Sequence, residues 1–176
     1  MRGMPDPSTA PAERLFLALW PDPAQRARVQ QAADAWTWAP AARRTRTERL
    51  HVTLHFLGAV PVTQLPALRA LDLRWDGCVL QLDEATVWPG GIAVLEATQV
   101  PEALQALHAG LGQRLRELGI AVEERRYRPH VTLARKAAGS RPPAQRQPLA
   151  WPAGPAYELV RSLPGGRGYE RVQAFG

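Results

Sequence analysis

Short runs with an apolar period of two alternate along this chain with longer segments of helical period, an order that predicts an α+β fold. Arg14 to Trp20 (RLFLALW) predicts a strand. It stops at Pro21-Asp22-Pro23, where Asp22 can cap a helix and Pro23 can fill the first turn. That helix is expected to reach about Trp38, with Val29, Ala32, Ala33 and Trp36 on one face. A strand over Leu50 to Leu57 closes at Gly58, and a helix over Gln64 to Leu73 follows, with Pro66 in its first turn. Cys78 to Leu82, Ala85 to Trp88 and Ile92 to Glu96 read as short strands, the last two joined by Pro89-Gly90-Gly91. The clearest helix is Pro101 to Leu118, where Leu104, Leu107, Leu111, Leu115 and Leu118 form one stripe and Gly119 is the stop. A strand over Pro129 to Arg135 and a mobile Pro- and Arg-containing loop over Ala137 to Pro148 come next. Strands over Ala156 to Ser162 and Tyr169 to Phe175 flank a turn at Pro164-Gly165-Gly166.

Two of the predicted strands carry the same word, His51-Val52-Thr53-Leu54 and His130-Val131-Thr132-Leu133. Side chains alternate faces on an extended chain. His51 and Thr53 therefore share one face, and His130 and Thr132 likewise, while the intervening valines and leucines point to the other. Histidine is scarce, four in 176 residues, and two of the four head the repeated word. Strands that met would build a site of two imidazoles and two hydroxyls.

That set suits acid–base chemistry on a phosphate. With an unperturbed pKa of about 6.5, one imidazole can be neutral while its partner is protonated, giving a general base and a general acid together. Threonine hydroxyls can donate to non-bridging phosphate oxygens and stabilise charge that grows as a nucleophile attacks. Net charge is +6, and the basic residues are nearly all arginine. Arg43, Arg44, Arg46 and Arg49 precede the first word, and Arg125, Arg126, Arg128 and Arg135 surround the second. Guanidinium pairs well with phosphate oxygens, so this placement favours an anionic substrate. The scheme needs no metal and no cofactor, and no acidic cluster or ligand-spaced Cys and His suggests a metal site.

The length fits one compact domain, or two small lobes sharing a core. Residues 1–13, rich in Pro and small residues, are expected as a disordered lead-in to a domain over 14–176. No apolar run approaches the roughly 20 residues of a membrane helix, and the N-terminal segment lacks the apolar region of a signal peptide. The single cysteine, Cys78, is expected as a small buried hydrophobe and fits a reducing cytoplasm. Nothing in the pattern demands an oligomer, so a monomer is expected.

With these residues in place, the chain resembles the 2H phosphoesterases, specifically the LigT-like RNA 2′,3′-cyclic phosphodiesterases once named 2′-5′ RNA ligases. Leu50 to Gly58 looks like the family's first signature, and Tyr127 to Arg135 like its second. Arg14 to Leu19 is similar to its opening strand, and Tyr157-Glu158-Leu159 and Gly168-Tyr169 fit its closing segments. The resemblance implies a bilobal fold: two antiparallel-rich sheets with outer helices, related by pseudo-twofold symmetry about a central cleft with one His-x-Thr on each wall. It implies opening of RNA-terminal 2′,3′-cyclic phosphates to 2′-phosphomonoesters, and joining of 2′-5′ ends in reverse. His130 would deprotonate the water, His51 would protonate the departing O3′, and Thr53, Thr132 and Arg135 would bind the phosphate. The acid and base labels could be exchanged. Tyr127, Arg128, Phe16 and His55 are candidate RNA or base contacts. Core packing is the stronger expectation for Phe16, a peripheral polar role for His55, and a structural role for His108. Two other readings stay open: a catalytically silent RNA- or nucleotide-binding module, and the same chemistry on another cyclic phosphate such as an ADP-ribose derivative.

Overall fold

A computed structural model describes residues 11–145 and 147–176 of the chain. Its first strand, β1 (Ala12–Leu19), sends Leu15, Leu17 and Leu19 into the main core and Phe16 and Ala18 to the opposite face. Residues 1–10 of the expected lead-in lie outside the described residues. Ala12 and Glu13 already belong to β1, paired with Pro61 and Val60.

Helix α1 (Pro23–Asp34) starts at Asp22 through a reciprocal cap. The Asp22 carboxylate accepts from the Gln25 amide at 2.7 Å, and the Gln25 side chain accepts from the Asp22 amide at 2.9 Å. The helix ends four residues before the expected Trp38. The Trp38 indole turns back instead, donates to the carbonyl of Ala33 at 3.0 Å and stacks on buried Trp36. Helix α2 (Leu65–Arg69) is likewise shorter than its pattern, because the amide of Leu73 donates to the Tyr157 hydroxyl rather than into a further turn. Helix α3 (Glu102–Glu117) follows its leucine stripe, with Leu104, Leu107, Leu111 and Leu115 all buried. Gly119, at φ +74°, takes the left-handed position after its end.

The remaining strands are β2 (Arg43–Arg44), β3 (Val52–Pro61), β4 (Cys78–Leu82), β5 (Glu84–Trp88), β6 (Ile92–Glu96), β7 (His130–Arg135), β8 (Leu149–Ala153), β9 (Tyr157–Leu163) and β10 (Gly168–Phe175). Every registered pairing is antiparallel. The large sheet runs β10-β9-β1-β3-β7-β6-β5, with β2 added to β7, and β4-β8 forms a separate ribbon. The α+β, antiparallel expectation holds. Its two sheets take a particular form: β10-β9-β1-β3 and β7-β6-β5 are halves of one path, joined at the pair Val52–Val131.

Three further differences have local causes. Gly58 does not close β3; at φ +68° it sits opposite Leu15 beside a register shift, and the strand bends through it to Pro61. Strand β8 is absent from the sequence reading because Pro148 and Pro152 obscure it. Proline is tolerated on this outer ribbon, where Leu149, Trp151 and Ala153 alternate inward. The first half of the 137–148 loop is held in place rather than mobile. Ala137 and Ser140 are buried, Ser140 Oγ accepts from the Ala39 amide at 2.9 Å, and Thr37 and Arg141 exchange two backbone hydrogen bonds. Arg146 of that loop lies outside the described residues.

Candidate active site

The pair Val52–Val131 fixes the site. Both valines are fully buried, so the residues on either side of them face the other way. Antiparallel register then sets His51 across from Thr132 and Thr53 across from His130. All four line one cavity of about 650 Å³, together with Arg135 at the end of β7.

The two imidazoles are held alike. His51 Nδ1 lies 2.7 Å from the carbonyl of Arg49, and His130 Nδ1 lies 2.7 Å from the carbonyl of Arg128. A carbonyl only accepts, so Nδ1 carries the proton in both rings and donates it there. In the neutral form this leaves Nε2 of each ring as the free base. Each ring also has an indole against it. Trp20 stacks on His51 at 5.1 Å and 4°, and Trp88 is tilted on His130 at 4.4 Å.

Their surroundings otherwise differ. Phe16 and Tyr169 complete an aromatic box around His51, at 5.0 Å and 5.4 Å. Burial in that box lowers the His51 pKa to about 4, against the support of the Arg49 carbonyl, and His130 adds a smaller lowering. Burial also lowers His130, opposed there by the Arg128 carbonyl and by the charge of Glu96. Glu96 is buried, pairs with His130 across β6 and β7, and accepts from Arg128 at 2.5 and 2.7 Å and from the Trp88 indole at 3.1 Å. The Arg128 guanidinium also lies 4.3 Å over the Trp88 ring.

Beyond Thr53 the cavity reaches three stacked rings. His108 on α3 lies between His55 and Tyr127, with both centroid separations 4.0 Å. His55 Nε2 donates to the His108 carbonyl at 2.8 Å, and the Tyr127 hydroxyl donates to the Thr53 carbonyl at 3.0 Å. Gly112 makes room for this stack, since a Cβ there would lie 3.3 Å from His55 Cε1. Burial lowers the pKa of both histidines, that of His108 to about 4, and each ring's proximity to Arg116 adds to it.

Several expectations change at this level. His55 is not peripheral; it is 5% exposed and anchored to α3. Phe16, by contrast, follows its stronger expectation of core packing: it lies beneath His51 at 3% exposure, outside the cavity lining. Tyr127 and Arg128 do line the cavity, but Arg128 is committed to Glu96 and Trp88. Of the first arginine cluster only Arg49 lines the cavity, while Arg44 pairs with Asp34; of the second, Arg125, Arg126, Arg128 and Arg135 all do. Sequence reasoning missed Glu96, Trp20, Trp88 and the cavity-facing side of His108. Glu96 carried a signal, being a carboxylate at the end of a strand otherwise apolar.

No group of three or more His, Cys, Asp or Glu among the described residues is arranged to hold a metal ion. No described helix is long and apolar enough to cross a membrane. Cys78 is half-buried in β4, and burial raises its thiol pKa.

An antiparallel α+β sheet with paired His-x-Thr words on facing strands defines a phosphoesterase of the two-histidine type. The chain belongs to the LigT-like phosphoesterases. The model of that family, LigT like Phosphoesterase, matches residues 95–150. An RNA 2′,3′-cyclic phosphodiesterase of Thermus thermophilus is 30% identical, the alignment covering 73% of this chain and 79% of that one. A protein of the same description from Escherichia coli is 35% identical over 56% of this chain and 57% of its own length. The crystal structure of E. coli LigT in its apo form superposes with a TM-score of 0.76 at 26% identity, covering 94% of this chain and 97% of that one.

Proposed function

We propose that this enzyme hydrolyses the 2′,3′-cyclic phosphate at RNA ends to a 2′-phosphomonoester. The observation that carries the reading is the matched support of the two imidazoles, each with Nδ1–H on the carbonyl two residues back and Nε2 free at one cavity. In the proposed reaction His130 Nε2 takes a proton from water as its oxygen attacks phosphorus. The P–O3′ bond breaks, and His51 Nε2–H gives its proton to the departing O3′. Thr53 and Thr132 donate to the non-bridging oxygens, and Arg135 offsets their charge. This assignment follows the family resemblance. His51 is the more firmly neutral ring in the unliganded site, so the bound phosphate anion must raise its proton affinity before it can act as acid.

The substrate reading draws on the relatives, described as RNA 2′,3′-cyclic phosphodiesterases, and on E. coli LigT, whose structure with 3′-AMP superposes at a TM-score of 0.75 and 27% identity. Reverse 2′-5′ joining would use the same groups with a ribose hydroxyl in place of water. The expected working form is a monomer acting on RNA ends or cyclic nucleotides in the cytoplasm.

The test is incubation with 2′,3′-cyclic AMP in excess chelator, following 2′-AMP. Turnover is expected, with losses of about a hundredfold or more in His51→Ala and His130→Ala and a milder loss in Thr53→Ala. Full activity in either histidine variant would remove the mechanism. Absence of wild-type turnover on RNA and on other cyclic phosphates would leave a binding module.

A further inference from the structure

The two half-sheets repeat one arrangement behind their histidines. At His130 it consists of Trp88, the Arg128 guanidinium over that indole, and buried Glu96 holding the guanidinium. At His51 the matching groups come from β9 and β10. Trp20 stacks on the imidazole, the Arg171 guanidinium lies 5.3 Å from the Trp20 ring centroid, and Arg171 Nε is 2.9 Å from Glu158 Oε2. Register accounts for this grouping. Ala18 of β1 pairs with Glu158 of β9, and Phe16 pairs with Val160, which pairs in turn with Arg171 of β10. Paired residues share a face of the sheet. Glu158 and Arg171 therefore emerge beside the small cluster of Phe16, Ala18, Val160 and Trp20, on the side away from the main core.

The Glu158–Arg171 pair is a costly way to join two strands. The Glu158 side chain is only 13% exposed, and its Oε2 makes no hydrogen bond among the described residues. Burial raises its pKa, opposed by the charge of Arg171. A desolvated carboxylate beside one guanidinium contributes little to stability over an apolar pair. What the pair does achieve is to fix a long, rotamer-rich side chain over an indole. Trp20 lies past the end of β1, so strand pairing does not hold it. His51 needs such a wall. Its Nδ1 hydrogen bond to the Arg49 carbonyl leaves the ring free to swing about that bond. Of the three rings around it, only Trp20 is parallel, at 4° against 30° for Phe16 and 87° for Tyr169. The layout at His130 is reached by other means, with the arginine two residues before the histidine instead of on a distant strand. Two unrelated stretches thus build the same support behind both imidazoles.

We infer that Arg171, held by Glu158, is a positioning residue for His51: it fixes the Trp20 indole against the imidazole and so keeps Nε2 aimed into the cavity. The inference rests on the proposed acid role of His51 and adds the groups that hold that ring to it. Arg171 and Glu158 lie outside the cavity lining and act only through Trp20. Locking a reacting side chain by packing behind it preserves the geometry that proton transfer requires.

The test measures kcat and KM on 2′,3′-cyclic AMP, urea midpoints, and the NMR shifts of the His51 ring protons, for wild type, Arg171→Met, Arg171→Lys and Glu158→Gln. A parallel indole moves the protons of the ring it covers upfield, so the shifts report whether Trp20 is in place. Arg171→Met should lower kcat by about tenfold, part of what a general acid supplies, with KM within about twofold of wild type. Its His51 ring protons should move downfield while those of His130 stay where they are. Arg171→Lys keeps a cation for the indole and the carboxylate, and should recover most of both readouts. Glu158→Gln should show a smaller loss of the same kind. Unmoved His51 shifts in Arg171→Met would overturn the inference whatever kcat did, leaving Glu158–Arg171 as a plain cross-strand contact. So would an unmoved kcat, a kcat loss matched by the unfolded fraction, or a lysine variant no better than the methionine one. If the wild type turned over no cyclic phosphate, the functional reading would fail, and the His51 shifts alone would judge the positioning. Movement in Arg171→Met would then support it, and no movement would overturn it.

Discussion

Val52 of β3 and Val131 of β7 are directly paired, both at 0% exposure, and theirs is the one registered pair between those strands among the described residues. The placement of the four His-x-Thr side chains at one cavity thus depends on two methyl-bearing residues on the reverse face. Val131→Ala should cost about 2 kcal/mol of stability through lost burial and the cavity left behind. Its kcat should fall further than the folded fraction explains, because the pairing that opposes His130 to Thr53 is loosened. Denaturant unfolding alongside steady-state kinetics checks both.

The histidines make this fold sensitive to acid. His51, His55, His108 and His130 all have pKa values lowered by burial, so the unfolded chain binds protons more readily than the native one. Stability should therefore fall as pH drops from about 6.5 toward about 4, the interval between the unfolded value and those of His51 and His108. Below that interval their contribution should level off. Urea midpoints measured from pH 7.5 to 4 should show the loss, with a shallower slope in His108→Phe.

Inorganic phosphate should reverse part of that shift at the active site. An anion within reach of Nε2 favours imidazolium, so the His51 resonance followed by NMR should titrate well above about 4 when phosphate is present. Phosphate should correspondingly bind more tightly as pH falls. An unchanged His51 titration at saturating phosphate would place the anion elsewhere.

Glu96 should govern His130 from behind. Glu96→Gln removes a charge that favours imidazolium and releases Arg128 from its two-point contact. The His130 pKa should drop further and the limb of the pH–rate profile that it controls should move to lower pH. A stability loss of about 1–3 kcal/mol is expected, limited because Arg128 is partly solvated. Arg128→Lys, keeping the charge but not the fork, should give a smaller profile shift.

Tyr127→Phe isolates one hydrogen bond, from the phenol to the Thr53 carbonyl. The ring stack with His108 survives, so stability should fall by only about 1 kcal/mol. Turnover should fall several-fold, since Thr53 loses an anchor. Equal kcat in the variant would mean that β3 holds Thr53 unaided.

The sequence made much of this molecule readable because its main signals are local. The capping pair Asp22 and Gln25, the leucine stripe of α3 and the alternation around both His-x-Thr words depend on residues a few positions apart, and they appear in the structure. Tyr127 and the arginines around the second word were also visible, as neighbours of a strand. What stayed hidden depended on distant partners. The His55–His108–Tyr127 stack joins three segments, and the role of Glu96 appears only when β6 is laid beside β7. Trp38 shortens α1 by a side-chain contact that helical periodicity does not register.

The indoles beside the histidines have a practical consequence. Trp20 touches His51 and Trp88 touches His130, and a protonated imidazole quenches a neighbouring indole more strongly than a neutral one. Each half of the dyad therefore carries its own lamp. Replacing either tryptophan with phenylalanine would remove its share from the emission of six indoles, so the difference between the enzyme and each variant would let the two protonation events be watched separately without a label.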